Sequence, residues 1–296
     1  MRNGRFFVSA LVAAAIMAVA APSAWADDLV GTQERSEDLF FFDSDDPREV
    51  EREDVDGLDE GEDLLGVDVR PATGGLYVLG DHGNLYVVNR NTMDAAKVAS
   101  LPIELNAVER DVHFALDFNP ASDRLRVITD ADENWSVNPD TGAVTIDGKL
   151  QYHDDDDSPE IVAAAYTNPP PSGQAAVINL FAIDARRNAL FQVAPPASGV
   201  LSEQETLDIN VRHVVGLDIG HNNRGFLVTT SEFGKSELFE LDLVTGDVSE
   251  ANGLDKEDNE IGFRGLNGVA TLNQPQSVPA TTAPTTPPPT TPPATP

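Results

Sequence analysis

Two histidines and one recurring aspartate are the side chains of this 296-residue chain best placed to do chemistry. His113 and His213 each stand just before an apolar run that reads as a buried strand. Imidazoles at such positions can act as a general base or a metal ligand. The plainer alternative, that each caps a strand and bonds a neighbouring loop, is the stronger one, because no acid partner is spaced with them. Asp68, Asp117 and Asp218, together with Asn267, end a short phrase that returns along the chain. Oxygen groups converging on one point suit calcium. Against that, repeated Asp and Asn often fix the turn into the next strand, and the apolar neighbours favour this structural role.

Other motifs exclude more than they suggest. Asp130-Ala131-Asp132-Glu133-Asn134 opens like a calcium loop, but the sixth place holds Trp135 instead of glycine and the twelfth Thr141 instead of glutamate. The acidic run Asp154 to Asp157 reads as a solvated loop. Serine-nucleophile elbows, H-E-x-x-H pairs and glycine-rich phosphate loops are absent. With no cysteine, thiol nucleophiles and Cys-based zinc or iron–sulfur sites are excluded. No cofactor is firmly implied, and calcium on Asp68, Asp117 and Asp218 is the one with any support. Arg70, Arg124, Arg126 and Arg264 lie near the repeat cores and are expected to pair with the abundant aspartates.

The phrase that carries these aspartates sets the architecture. It reads Gly66-Val67-Asp68, Ala115-Leu116-Asp117, Ala164-Ala165-Tyr166, Gly216-Leu217-Asp218 and Gly265-Leu266-Asn267. A period near 49 residues marks propellers and solenoids. Within the second unit, His113 to Phe118 is nearly all apolar, as a strand buried on both faces is. Arg124 to Ile128 alternates, Asn134 to Val137 gives a third strand, and Ala143 to Ile146 follows the turn Asn138-Pro139-Asp140-Thr141-Gly142. Four strands per unit make one blade. The fifth unit supplies a single strand, Gly262 to Leu272, and its missing strands lie at the other end, in Leu29 to Thr32, Asp38 to Phe42 and a short piece before Asp56. Pairing the two ends leaves no open edge. The expected fold is all-β: a five-bladed β-propeller of four-stranded blades, closed by N-terminal strands on the C-terminal innermost strand. A β-sandwich or an open array is the alternative.

These pieces resemble DUF4394, a family of exported bacterial proteins of uncharacterised activity. The likeness runs through Gly66 to Ala72, Asp117 to Val127, Asn138 to Gly142, Ala163 to Asn168 and Arg264 to Leu266. It covers most of residues 30 to 272. It implies the fold and export, and no chemistry. The acidic run at Asp154 and the Thr/Pro tail are additions of this chain.

Residues 1–26 have the layout of a secretory signal: Arg2 and Arg5, an apolar run from Phe6 to Ala21, and Ser23-Ala24-Trp25-Ala26, with cleavage expected after Ala26. Residues 27–273 form the propeller domain and 274–296 a disordered tail, in which Pro279 to Pro296 contain only Pro, Thr and Ala. Fifty acidic residues against 19 basic ones give a net charge of −31, which repels phosphate backbones and excludes nucleic acid. The expected product is a secreted or envelope-associated monomer with no membrane span after signal removal. It binds a protein or glycan partner at the cell exterior. The rival expectation is a calcium-assisted hydrolase or lyase working at the channel mouth.

Overall fold

The computed structural model describes residues 27–272 apart from 103–112, 154–156, 168–176, 221–222 and 255–257. The signal segment, the tail, the Pro-rich stretch Pro169-Pro170-Pro171 and most of the acidic run at Asp154 lie outside the described residues.

Five small sheets stand around one axis as a five-bladed β-propeller. Blade 1 is β4 (Leu64–Arg70), β5 (Gly75–Gly80), β6 (Asn84–Val88) and β7 (Ala95–Ser100), in that order from the axis outward. Blade 2 is β8 (Phe114–Asn119), β9 (Arg124–Thr129), β10 (Asn134–Val137) and β11 (Val144–Ile146). Blade 3 is β13 (Ile161–Tyr166), β14 (Leu180–Asp184), β15 (Ala189–Val193) and β16 (Val200–Thr206), with β12 (Gln151–Tyr152) added in parallel to the outer edge. Blade 4 is β17 (Val214–Ile219), β18 (Gly225–Thr230), β19 (Lys235–Leu241) and β20 (Val248–Glu250), with β21 (Glu260–Arg264) also on β19. Blade 5 closes the ring: β22 (Leu266–Thr271) is innermost and pairs with β1 (Asp28–Gln33), which leads to β2 (Asp38–Asp43) and β3 (Asp46–Asp54). Among the described residues no helix is long and apolar enough to cross a membrane.

The expected Gly262–Leu272 strand is in fact two. Gly265, at φ +80°, is in a conformation that only glycine adopts without strain. The chain bends there, giving β21 to blade 4 and β22 to blade 5.

Apolar residues of neighbouring blades mesh into five clusters, one for each seam between blades. Leu65, Tyr77, Phe118 and Trp135 fill seam 1/2; Ile128, Tyr152, Tyr166 and Phe191 fill seam 2/3. Phe181, Ile183, Leu217 and Leu227 fill seam 3/4; Phe40, Phe226, Leu238 and Ile261 fill seam 4/5. Val30, Val67, Leu76 and Tyr86 fill seam 5/1. Each blade face is therefore buried against the next, which explains the nearly unbroken apolar runs of the inner strands.

At the axis the five innermost strands come close, and each places a glycine or alanine there beside larger neighbours such as Phe114, Leu116 and Leu217. Gly66, Ala115, Ala163, Gly216 and Gly268 line a residual space of about 20 Å³, room for about one water. This ring corrects the phrase in two of its five copies. The structural equivalents of Gly66-Val67-Asp68 are Ala163-Ala164-Ala165 and Gly268-Val269-Ala270. Tyr166 follows the phrase and is buried in seam 2/3. Asn267 precedes its copy, and its amide nitrogen donates to Thr32 Oγ1 at 2.8 Å.

A side chain added at the axis has nowhere to go: a Cβ on Gly216 would lie 3.0 Å from Val269 N and 3.2 Å from Gly268 C. Gly216→Val should cost about 1–3 kcal/mol by urea unfolding. A loss below about 0.5 kcal/mol, the range of neutral surface changes, would show that the axis is not tightly closed.

Candidate functional site

Two residues beyond each axial Gly or Ala, on the same face of the strand, the chain places Asp68, Asp117, Ala165, Asp218 and Ala270. The three aspartates are buried, and one carboxylate oxygen from each lies within 4.8 Å of the others. Every one of them reaches across a seam to the backbone of the next blade. Phe118 N donates to Asp68 Oδ2 at 2.6 Å, Tyr166 N donates to Asp117, and Thr271 N donates to Asp218 Oδ2 at 2.5 Å. Asp68 and Asp218 also accept the N–H of their own successors, Val69 (2.6 Å) and Ile219 (2.7 Å). The carboxylates thus hold neighbouring inner strands together rather than shaping turns.

The same three groups repel one another. Burial raises the pKa of all three, and the Asp68 and Asp218 charges add to the rise at Asp117. The backbone N–H groups act the other way but do not overcome desolvation. Asp117 and Asp218 are also hydrogen-bonded to each other. Shared protons are one way to relieve this crowding, and a cation is the other. Oxygen donors suit calcium, yet calcium takes six to eight of them, and here several lone pairs already face backbone N–H groups. A cation held by Asp68, Asp117 and Asp218 would be sealed from solvent and would brace blades.

The aspartates sit at seams 1/2, 2/3 and 4/5, and buried or half-buried arginines also bridge these three, while at seam 5/1 half-buried Arg90 of blade 1 donates to Leu272 O at 3.4 Å. Arg70 of blade 1 forms a bidentate pair with Asp123 of blade 2 (2.7 and 2.5 Å) and also meets Asp140 (2.6 Å). Arg126 of blade 2 donates to Tyr166 Oη of blade 3 (3.1 Å) while held by Asn134 and Asp147. Arg224 of blade 4 reaches Asp27 at the edge of blade 5 (2.6 Å) and is held by Glu240 and Asn252. Seams 3/4 and 5/1 carry Ala165 and Ala270 at the aspartate position, and along these two seams the surface opens into grooves. The groove at 5/1, about 750 Å³, runs between Asp28, Glu51, Glu53 and Arg90. The groove at 3/4, about 630 Å³, runs between Thr167, Phe181, Asn223 and Asp247.

The histidines lie elsewhere. His113 is exposed, directly before β8, and its carbonyl accepts Asp130 N at 3.3 Å. His213 closes a single 3₁₀ turn, Val211–His213, before β17. Both stand at the start of an inner strand whose aspartate comes four or five residues later, roughly 13–17 Å along the strand. Along their strands the two positions are therefore several residues away from the aspartates. Of the remaining predicted cations, Arg124 and Arg264 sit at strand ends, where Arg264 donates to Phe233 O at 3.2 Å. A second acidic group, Glu62, Asp81 and His82, lies at the other end of blade 1. Its buried member, Glu62, is engaged by Asn84 and Tyr86.

Sequence reasoning missed both grooves. Their walls come from turns such as Asp242–Asp247 and Arg90–Met93, whose residue types carry no sign of a space between blades. The one available signal was the loss of aspartate from two of the five copies, and it was hidden by the shifted register.

The chain matches the family described as "Domain of unknown function (DUF4394)" over residues 38–264. No curated protein matches it. Among solved structures it is similar to a protein of unknown function from Bacteroides caccae, with 13% identity over 84% of this chain and 99% of that one, at a TM-score of 0.44. A structural genomics protein of unknown function from Bacteroides thetaiotaomicron shares 16% identity over 77% of this chain and 58% of that one, at 0.47. An auxiliary nutrient binding protein from Bacteroides thetaiotaomicron shares 10% over 67% and 55%, at 0.39. Likeness at these values carries no functional argument.

The crowded aspartates make a pH prediction whose sign is fixed. Their folded pKa values are raised, so their contribution to stability is full below the unfolded value near 4 and is lost as pH rises through the folded values. Asp117→Asn keeps an oxygen for Tyr166 N and removes one charge. Urea unfolding of both proteins from pH 4.5 to 8 should show the variant gaining on the parent as pH rises; the opposite trend would mean that the third charge is compensated.

Arg70→Ala strips a bidentate link and leaves Asp123 unpaired at seam 1/2. It should cost about 1–3 kcal/mol in the same assay, and Arg70→Lys, which keeps the charge but cannot form the fork, should restore only part of that loss.

Proposed function

We propose that this chain, which belongs to the DUF4394 family, is an exported β-propeller serving as a binding module of the bacterial envelope or exterior. The observation that carries the reading is where the polar groups and the open space lie. The axis is filled, and the carboxylates that converge near it are buried and joined to backbone N–H groups. Among the described residues, two sizeable grooves lie on seams, and neither is lined by His113 or by the aspartate group. A closed ring of this kind supplies a rigid frame with clefts between blades, and clefts of 300–1,000 Å³ are the size that ligand sites take. Export is supported by the signal-like residues 1–26, and the Thr/Pro tail suits a spacer that holds a domain away from a surface. The surface charge argues for a partner other than nucleic acid. The domain limits proposed are 27–273, and the protein is taken to act as a monomer with a protein or glycan partner.

The second reading, a calcium-assisted hydrolase or lyase, draws on the convergence of Asp68, Asp117 and Asp218 alone. Their burial argues against it, since metal-assisted catalysis needs an open coordination position beside the substrate.

Purified mature protein should turn over none of a set of glycosides, lactones and esters. Turnover abolished by His113→Ala would overturn the binding reading. A rise in melting temperature at millimolar calcium that Asp117→Asn removes would favour the calcium reading.

A further inference from the structure

The groove at seam 3/4 differs from the rest of this acidic surface in which of its groups are still available. Its one cation, Arg224, is held by Asp27, Glu240 and Asn252. Asp242 accepts the N–H groups of Val244 (2.8 Å) and Thr245 (3.0 Å), which lower its pKa as a turn-capping carboxylate. What remains is mostly uncharged. Asn179 lends its oxygen to Gln192 (2.8 Å), and its amide nitrogen has no partner among the described residues. The side chains of Asn223 and Ser249 and the carboxylate of Asp247 likewise have none among the described residues. Phe181, buried to all but 7%, and half-buried Leu243 add apolar wall beside them.

We infer that this groove binds an uncharged saccharide of a few rings, a reading that rests on the protein being a binding module. An anionic ligand would meet a chain of net charge −31 with no available cation among the described residues of the groove. A strongly cationic one would find a single free carboxylate and leave the amides unpaired, which is costly. Vicinal hydroxyls, by contrast, both donate and accept. Amide nitrogens, an amide oxygen, a hydroxyl and one carboxylate match them group for group. The apolar wall suits the C–H face of a sugar ring, and a volume of about 630 Å³ accommodates a short oligosaccharide. The groove also lies on a seam free of the axial aspartate link, so its walls belong to two blades joined mainly by apolar packing.

The test is calorimetric titration of the full mature protein with maltose, cellobiose, lactose and maltotriose, beside glucuronate and glucosamine as charged controls. At least one neutral sugar should bind saturably and both charged controls more weakly. Asp247→Ala and Asn179→Ala should each weaken binding about tenfold, which is the loss of one good hydrogen bond. Asp247 is exposed, so that variant should melt at the parent's temperature. Absence of saturable binding by every sugar would overturn the inference. So would binding that both variants leave unchanged, although a binding module would then still stand, with its site elsewhere. Binding followed by turnover that Asp247→Ala abolishes would support the groove while overturning the non-enzymatic reading.

Discussion

Close approach of five strands at one axis is the constraint on which the remaining features depend. Five blades make a narrow ring, and one position of each innermost strand has room for a hydrogen atom or a methyl group at most. Gly66, Ala115, Ala163, Gly216 and Gly268 meet that demand. With no polar side chain among the described residues at the centre, the carboxylates stand two residues further along the strands, in the layer of Asp68, Asp117 and Asp218. There the gap between inner strands is spanned by a carboxylate that accepts backbone N–H groups from the next blade. Axial tightness and the seam links are therefore one solution, worked out at successive positions of the same strand.

The balance within that layer is close. A buried carboxylate that accepts two N–H groups is well solvated by the protein, and alone it would ionise readily. Three of them within a few ångströms lose that advantage to mutual repulsion and desolvation. Alanine at the two remaining positions, Ala165 and Ala270, avoids a fourth and fifth charge at the same point. Elsewhere the acidity is borne by exposed strands such as β3, whose sequence DPREVERED is exposed at most positions, and there high dielectric and salt hold repulsion down.

Much of this was legible in the chain. The repeat near 49 residues, the strand runs within each unit and the incomplete last copy led to a five-bladed ring closed by the N-terminus, because each rests on side-chain periodicity and turn chemistry. Asp68, Asp117 and Asp218 were legible as equivalent, though not as links between blades, since hydrogen bonds to another blade's backbone leave no trace in local sequence. Register failed where composition carries none. In Ala163-Ala164-Ala165-Tyr166 a shift of one changes nothing until the tyrosine is seen to belong in a seam. Around Gly265 and Gly268, two glycines offered two equally good phrases, and only the axis chose between them. The split between β21 and β22 was missed because β22 pairs with β1 at the other end of the chain, and β16 because its mostly polar sequence VLSEQET carries no apolar run. The grooves were missed because they are spaces between turns.

The unequal seams divide the ring into two arcs. Blades 1, 2 and 3 are joined through Asp68 and Asp117 with Arg70 and Arg126; blades 4 and 5 are joined through Asp218 with Arg224. The arcs meet at two joints that lack the axial carboxylate. The two grooves lie on these joints and are built from unrelated residues, so the ring opens to the surface where no carboxylate ties one inner strand to the next.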